Sequence, residues 1–171
     1  MNAFTSVEAG TPVSADAIGL PALAGHRIRP DAAFETAFWD ELADLQAENP
    51  QGFLLRLHVL GDFYSQAYVD LIDSALDAFP ALHVFGFTAR DPDTDEIGSA
   101  VWALATARWD RFTMRFSGMA GPDLAARVIE MGDKPDDALI CPAETGATAC
   151  CATCALCFNP KFTRSLAFVR H

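Results

Sequence analysis

The sequence predicts an α/β protein whose parallel sheet is either open or a partial barrel, with a C-terminal cysteine loop that binds metal. From residue 31 onward, segments with helical periodicity alternate with short apolar runs, in the order helix, strand, helix, strand, helix, strand. Strands joined through helices usually lie parallel, because the long crossover returns the chain to the same edge of the sheet. The metal loop is predicted from a separate observation, the concentration of all five cysteines after residue 140.

Three helices are predicted between the strands. The first covers residues 31–49 and carries apolar side chains every three or four positions along one stripe. Asp31 begins the first helix, Ser65 precedes the second and Asp95 precedes the third. A serine or aspartate at this place caps a helix because its side-chain oxygen accepts a hydrogen bond from a free backbone N–H. The second helix extends to about residue 79 and the third to about residue 107.

Residues 53–60, 82–88 and 111–117 are predicted to form the first three strands. In the third strand the Phe and Met side chains face one side, and the Arg, Thr and Ser side chains face the other. A parallel strand that is buried on both faces should be apolar throughout. In the first strand the polar residues Arg56 and His58 are two positions apart, so we expect them on the same face. Arg56 and Arg111 break the rule of apolar buried strands, which favours a partial barrel whose concave side is wet or holds a ligand.

The remaining chain is assigned more coarsely. A short helix is predicted at residues 123–128, a short strand leads into Ile140, and a final strand covers residues 165–169. Residues 1–30 are rich in Gly, Pro, Ser and Ala without a sustained period, and we predict an N-terminal arm there. Residues 31–171 then form a single α/β domain.

Composition limits the functional classes. Hydrophobic residues make up 51% of the 171 residues and charged residues 20%, which is typical of a folded globular chain. The net charge of −11 argues against broad electrostatic capture of nucleic acid or anionic membrane. The sequence shows no signal-peptide pattern and no apolar stretch of membrane-spanning length. We therefore expect a cytoplasmic protein without a membrane partner, and the sequence gives no strong nucleic-acid signal.

Four cysteines form the pattern C-P-x8-C-x-x-C-x-x-C within residues 141–157, the predicted metal loop. Thiolates at every third residue can turn toward one point and bind a soft metal. A C-x-x-C-x-x-C run with a distant Cys-Pro is typical of [4Fe–4S] proteins, so this cluster is the expected cofactor. Zinc is the alternative, because four thiolates also satisfy its tetrahedral geometry. The role of Cys150, beside the run, stays open. The predicted ligands are Cys141, Cys151, Cys154 and Cys157.

Polar side chains follow the strands at their carboxyl ends, where parallel sheets bind ligands. His58 and Asp62 are candidates for an acid/base pair. The alternative is that Asp62 caps the following turn and His58 is a hydrogen-bonded core histidine. Arginines here would bind a phosphate or carboxylate, or form structural ion pairs. The ligand-binding candidates are Arg56, His58, Asp62, Ser65, Thr88, Arg90, Arg115 and Ser117.

Residues 56–65 read R-L-H-V-L-G-D-F-Y-S and resemble the R-x-H-x-x-G-D-F-x-S signature of the phage "gene product 88" domain family. Residues 83–88 and 111–117 and the cysteine tail are also similar to that family, so the resemblance covers roughly residues 50–171. The family is uncharacterised, occurs in phages and other mobile elements, and is distantly similar to radical-SAM partial barrels. Many members carry N-terminal cysteines, which this chain lacks, so no second metal centre is implied.

Two functions follow from these observations. The first is an iron–sulfur protein with a redox or radical-type site at the strand ends, which binds an anionic small molecule or nucleotide. The second is a non-enzymatic, acidic interaction or effector protein with a protein partner, whose zinc or iron–sulfur centre is structural. An enzyme requires the strand-end residues to face an accessible pocket. A structural centre would be sealed, with those residues paired among themselves.

Overall fold

The computed structural model describes residues 32–58, 61–118, 124–149 and 154–170 of the chain. Within these ranges helices and strands alternate through the first part of the chain, and three further strands follow in the second part. In chain order the elements are α1 (Ala32–Glu48), β1 (Phe53–Leu57), α2 (Gln66–Ala78), β2 (Leu82–Thr88), α3 (Glu96–Ala107), β3 (Phe112–Ser117), β4 (Ala125–Ile129), β5 (Ala138–Ile140) and β6 (Ser165–Val169).

The six strands of the described ranges form one sheet in the order β1-β2-β3-β4-β6-β5, and every neighbouring pair is parallel. The strands at the two ends of this order, β1 and β5, do not pair with each other, so the sheet is open. The predicted parallel α/β class is confirmed in its open-sheet form, and the partial-barrel form is not adopted.

Both predicted helix caps that lie in the described ranges are confirmed. The side chain of Ser65 accepts a hydrogen bond from the backbone N–H of Tyr68 at 3.2 Å and begins α2. Asp95 begins α3 in the same way, by accepting from the N–H groups of Ile97 and Gly98. These bonds satisfy backbone donors that have no partner inside the helix. The cap predicted for the first helix, Asp31, lies outside the described residues.

The helices pack against one face of β1, β2 and β3. The apolar side chains of β3 on this face, Phe112, Met114 and Phe116, are fully buried in a cluster with side chains of all three helices. The predicted alternation of β3 is therefore confirmed. Burial of apolar surface at about 25 cal/mol per Å² makes this cluster the main source of stability.

The opposite face of the sheet carries Arg56, Phe85 and Thr113, which are aligned across β1, β2 and β3, and Arg115 two residues further along β3. This face is in contact with the chain between β5 and β6, whose described residues, 141–149 and 154–164, are here called the cysteine segment. The ring centroids of Phe85 and Phe158, a residue of the segment, lie 5.2 Å apart. The two faces are thus covered by different kinds of structure.

The helix predicted at residues 123–128 is wrong. Residues Ala125–Ile129 form β4, which pairs with the end of β3 and with β6. Local Ala, Leu and Arg content favours a helix, but hydrogen bonding to two neighbouring strands outweighs such weak intrinsic preferences. The predicted N-terminal arm at residues 1–30 lies outside the described residues, as do the last two positions of the predicted first strand.

Gly98 offers a test of how α3 packs against the preceding loop. A Cβ at this position would lie 2.4 Å from the carbonyl oxygen of Asp91 and 2.7 Å from its carbonyl carbon. Alanine favours a helix by about 1 kcal/mol over glycine, but overpacking costs about 1–3 kcal/mol. We expect Gly98→Ala to lower the free energy of unfolding, measured by urea denaturation, by about 1–2 kcal/mol.

Ser99→Ala is the matched control, because Ser99 is the next residue of α3 and is exposed. It should be neutral or slightly stabilising. A Gly98→Ala variant as stable as wild type would contradict the close packing of α3 on the loop.

Candidate metal centre and strand-end residues

Arg115 of β3 holds the cysteine segment against the sheet. Its Nη1 donates a hydrogen bond to the carbonyl oxygen of Arg164 at 2.9 Å, and its Nη2 donates to that of Phe162 at 2.9 Å. A third, longer contact of 3.5 Å joins Nη2 to the carbonyl oxygen of Leu156. One side chain therefore contacts three places in the second half of the segment.

Aromatic side chains complete the contact. The indole Nε1 of Trp109 donates to the carbonyl oxygen of Pro160 at 2.8 Å. The Arg115 guanidinium lies 5.8 Å from the ring centroid of Trp109 and 5.3 Å from that of Phe162, within the range of cation–π attraction. Sequence analysis did not connect Trp109 or Phe162 with the cysteines, since nothing in the local pattern signals a contact about fifty positions away.

Three of the four predicted ligands lie in the described ranges. Cys141 follows β5 directly, is buried, and donates its backbone N–H to Ala167 of β6 at 2.8 Å. Cys154 and Cys157 are half-buried, and all three thiols are free. Between the last two, Ala155 has a φ of 60°, a left-handed conformation that is uncommon for alanine. This residue bends the backbone inside the C-x-x-C unit.

The three thiols interact electrostatically. The pKa of the Cys157 thiol is raised to about 11, mainly by burial; Arg115 and Arg56 oppose the shift, and the thiols of Cys141 and Cys154 add to it. The structure therefore brings Cys141, Cys154 and Cys157 into one electrostatic neighbourhood with two arginines of the sheet. Spacing alone predicted the convergence of the cysteines but not the presence of the arginines.

Arg115 is a fully buried cation, with 0% of its surface exposed. Within the described ranges it has no carboxylate partner, and its Nε has no hydrogen-bond acceptor. Burial lowers the pKa of its guanidinium, and Cys157 opposes this change. Because Arg115 is sealed from solvent, it does not present an anion-binding surface to a small molecule.

A soft metal requires several soft donors, such as thiolates, at one place. In the part of the chain that the structure describes, no three or more His, Cys, Asp or Glu side chains form a ready-made metal site. Cys150 and Cys151 lie outside that part, so the predicted four-cysteine set is not complete there. The three free thiols fit soft-metal ligation in donor type, and Arg115 and Arg56 lie within electrostatic range of Cys157.

The strand-end residues are paired among themselves. Asp62 accepts hydrogen bonds from the backbone N–H of Phe63 at 2.8 Å, from Thr88 Oγ1 at 2.7 Å and from the backbone N–H of Ala89 at 2.7 Å. Its carboxylate thus joins the loop after β1 to the end of β2. The prediction that Asp62 and Thr88 meet at one edge of the sheet is confirmed.

Arg90 is part of the same pairing. Its Nε donates to the carbonyl oxygen of Phe63 at 2.8 Å, and its Nη1 forms a 2.7 Å ion pair with Asp95. Ser65 caps α2, as described above. Ser117 is exposed at the end of β3. Arg115 lies under the cysteine segment rather than with these residues, so the predicted ligand-binding set does not form one site.

His58 lies outside β1 and has a φ of 58°. Its ring packs against Phe63 and Tyr68 of the helical core, at centroid distances of 4.6 and 5.6 Å. Neither ring nitrogen has a hydrogen-bond partner among the described residues. Arg56 lies instead over Phe85, on the other face, so the prediction that Arg56 and His58 share a face is wrong. The strand ends at residue 57, and the left-handed turn at His58 redirects its side chain.

A groove of about 370 Å³ runs between α2 and α3 on the outer surface of the helices. It is lined by Val69, Leu104 and Ala107, with Asp73 and Arg108 among the polar side chains. None of the predicted site residues or cysteines lines it. This groove therefore does not supply the accessible pocket that an enzyme with a strand-end site requires.

Comparisons with protein-family models, curated proteins and solved structures found no match to this chain. The resemblance to the phage domain family consequently stays a prediction. Among the described helices, none has the length and apolar character needed to cross a lipid bilayer.

The buried His58 predicts a dependence of stability on pH. Burial lowers its pKa from 6.5 to about 4, against an opposing effect of Asp62. Between these values the unfolded chain binds more protons than the folded chain, so the free energy of unfolding falls as the pH drops. We expect His58 to account for a loss of at most about 2 kcal/mol between pH 7 and pH 5.

Urea denaturation of wild type and His58→Phe at both pH values measures this contribution. The phenyl ring of His58→Phe keeps the aromatic packing. The free energy of unfolding of this variant should therefore fall much less between pH 7 and pH 5 than that of wild type. Burial also lowers the pKa of His83, so the matched variant His83→Gln measures how much of the fall in stability comes from this second histidine. An unchanged pH dependence in His58→Phe would show that His58 is not buried in its neutral form.

Proposed function

We propose that this chain is a metal-centre protein in which Cys141, Cys151, Cys154 and Cys157 hold one soft-metal centre against the sheet. The expected centre is a [4Fe–4S] cluster, with zinc as the alternative. The proposal includes the phage or mobile-element type that the sequence resemblance implies. It places the protein in the cytoplasm, where thiols stay reduced.

The observation that carries the proposal is the common electrostatic neighbourhood of Cys141, Cys154 and Cys157 with Arg115 and Arg56. A cluster core or a zinc ion brings about two positive charges to four thiolates and leaves a net charge of about −2. The buried Arg115 and the half-buried Arg56 beside such a centre would offset this charge.

Charge does not distinguish iron–sulfur from zinc, because both tetrathiolate centres carry the same net charge. The spacing makes the distinction instead. Three cysteines at intervals of three, with a fourth before a proline, are typical of [4Fe–4S] ligation. Structural zinc sites more often combine two separate C-x-x-C pairs.

The pairing of the strand-end residues supports a structural rather than a catalytic centre. Asp62, Thr88, Arg90 and Asp95 bind one another or the backbone, and the groove between α2 and α3 lies elsewhere. We therefore favour a centre that fixes the cysteine segment and contributes to folding. A redox or radical-type site for an anionic small molecule or nucleotide finds less support.

A second proposed function, binding a protein partner, is favoured by the charge of the helices. Helices α1, α2 and α3 contain nine Asp and Glu residues and no Lys or Arg. In the described ranges, Arg108 after α3 forms ion pairs with Asp73 and Asp77. A surface of this composition favours a basic partner through electrostatic complementarity.

The adjacent cysteines 150 and 151 test the proposed ligand set. We expect anaerobically purified Cys151→Ser to lose most of its bound metal, because it removes one of four ligands. We expect Cys150→Ser to keep the wild-type metal content, since Cys150 is not in the proposed set. Elemental analysis and visible absorption measure both variants against wild type.

Two results would contradict this ligand set. One is an equal loss of metal in Cys150→Ser and Cys151→Ser. The other is full metal content in Cys151→Ser together with loss in Cys150→Ser, which would assign the ligand to the neighbouring position.

Asp62→Asn tests whether the strand-end residues are structural. The amide nitrogen of asparagine cannot accept the hydrogen bond that Ala89 donates to the second carboxylate oxygen. Because Ala89 is exposed, water can bond its N–H in the variant, and the free energy of unfolding should fall by about 0.5–1.5 kcal/mol, the net value of one hydrogen bond. Metal content should not change. Loss of metal in a folded Asp62→Asn variant would instead connect this residue with the centre.

A further inference from the structure

We propose that Arg115 is a positioning residue of the metal centre, which holds the cysteine segment on the sheet and offsets the negative charge of the thiolates. This inference rests on the proposed metal-centre function and deepens it. Arg115 lies on β3, outside the cysteine segment, so the ligand pattern does not reveal it.

The geometry of the guanidinium supports the positioning role. Its two terminal nitrogens donate to the carbonyl oxygens of Phe162 and Arg164, both at 2.9 Å, and the longer contact reaches Leu156. Leu156 lies between Ala155 and Cys157, inside the second C-x-x-C unit. Arg115 thus bonds the backbone at a ligand-bearing turn and again just before β6. A planar guanidinium can make these contacts at once because its donors point in fixed directions.

The charge of Arg115 supports its second role. A fully buried cation is unfavourable unless an opposite charge or complete hydrogen bonding compensates for lost hydration. Carbonyl oxygens compensate in part, yet within the described ranges the Nε has no acceptor and no carboxylate is paired with the side chain. Cys157 interacts with Arg115 electrostatically. An anionic thiolate centre at this place supplies the missing opposite charge.

Two consequences follow for a centre with bound metal. Some residues do not bind the metal but orient its ligands or balance their charge. Replacing such a residue typically changes metal affinity about 10–100-fold. In an iron–sulfur cluster a nearby positive charge also favours the reduced form, which carries one more negative charge. Arg115 should therefore slow metal loss and raise the reduction potential of a cluster.

The experiment uses the anaerobically purified full chain with the metal that it carries. Wild type, Arg115→Met, Arg115→Lys and Arg111→Met are mixed with excess EDTA, and the rate of metal loss is followed. Arg111 is the matched control, because it lies four residues earlier and donates to the Phe79 carbonyl oxygen rather than to the cysteine segment. If the metal is an iron–sulfur cluster, its reduction potential is measured in parallel. Circular dichroism checks that each variant is folded.

We expect metal loss to accelerate about 10–100-fold in Arg115→Met and to stay near the wild-type rate in Arg111→Met. Arg115→Lys keeps the positive charge. The logarithm of its rate of metal loss should therefore rise by no more than half of the rise in Arg115→Met. A cluster potential should fall in Arg115→Met and return toward wild type in Arg115→Lys. Recovery by lysine separates the role of charge from that of packing, since lysine cannot reproduce the contacts of the guanidinium.

Three outcomes would overturn the proposal. Wild-type rates of metal loss in a folded Arg115→Met variant would remove any role for this residue. Equal acceleration in Arg115→Lys and Arg115→Met would remove the role of charge. If Arg115→Met does not fold, the test depends on Arg115→Lys. A rate of metal loss in Arg115→Lys more than 100-fold above the wild-type rate would then contradict the proposal. Wild type without bound metal would refute the underlying metal-centre function, which is a distinct result.

Discussion

The contact between the buried guanidinium of Arg115 and the backbone of the cysteine segment determines how the second face of the sheet is covered. The segment between β5 and β6 must cross that face, because parallel strands begin at the same edge of a sheet. Hydrogen bonds to Phe162 and Arg164, together with the Trp109 contact to Pro160, fix where it crosses. The position of Cys154 and Cys157 against the sheet follows from these contacts.

The two faces of the sheet therefore depend on different physical effects. The helical face is closed by a large apolar cluster, for which burial of hydrophobic surface is sufficient. The other face depends on a buried cation, a few aromatic contacts such as Phe85 with Phe158, and thiols that lack a ligand among the described residues. The proposed metal centre would add an opposite charge and a cross-link to this face, and removal of the metal should loosen the segment before the helical core unfolds.

Sequence patterns predicted the parts of the fold that depend on local chemistry. Ser65 and Asp95 cap helices, and the alternation of β3 separates Phe112 from Arg115, because these features depend on neighbouring residues alone. The strand at Ala125–Ile129 was missed because it depends on hydrogen bonds to β3 and β6, which no local pattern reveals.

The candidate site was predictable only in part, for the same reason. Cysteine spacing indicated a metal loop, but its contact with Arg115 joins positions more than forty residues apart. His58 was placed on the wrong face because a single left-handed residue ends the alternation of β1. Arg56 and Arg111 led to the expectation of a wet, concave sheet, whereas in the open sheet an arginine of that face is sealed beneath the cysteine segment.

The most direct test of a soft-metal centre on the sheet is the iron, zinc and acid-labile sulfide content of anaerobically purified wild-type chain. The account predicts about four iron atoms and about four sulfides per chain for the cluster. About one zinc ion without sulfide would retain the centre but replace the cluster with the structural alternative. A folded chain that contains neither iron nor zinc would contradict the central claim.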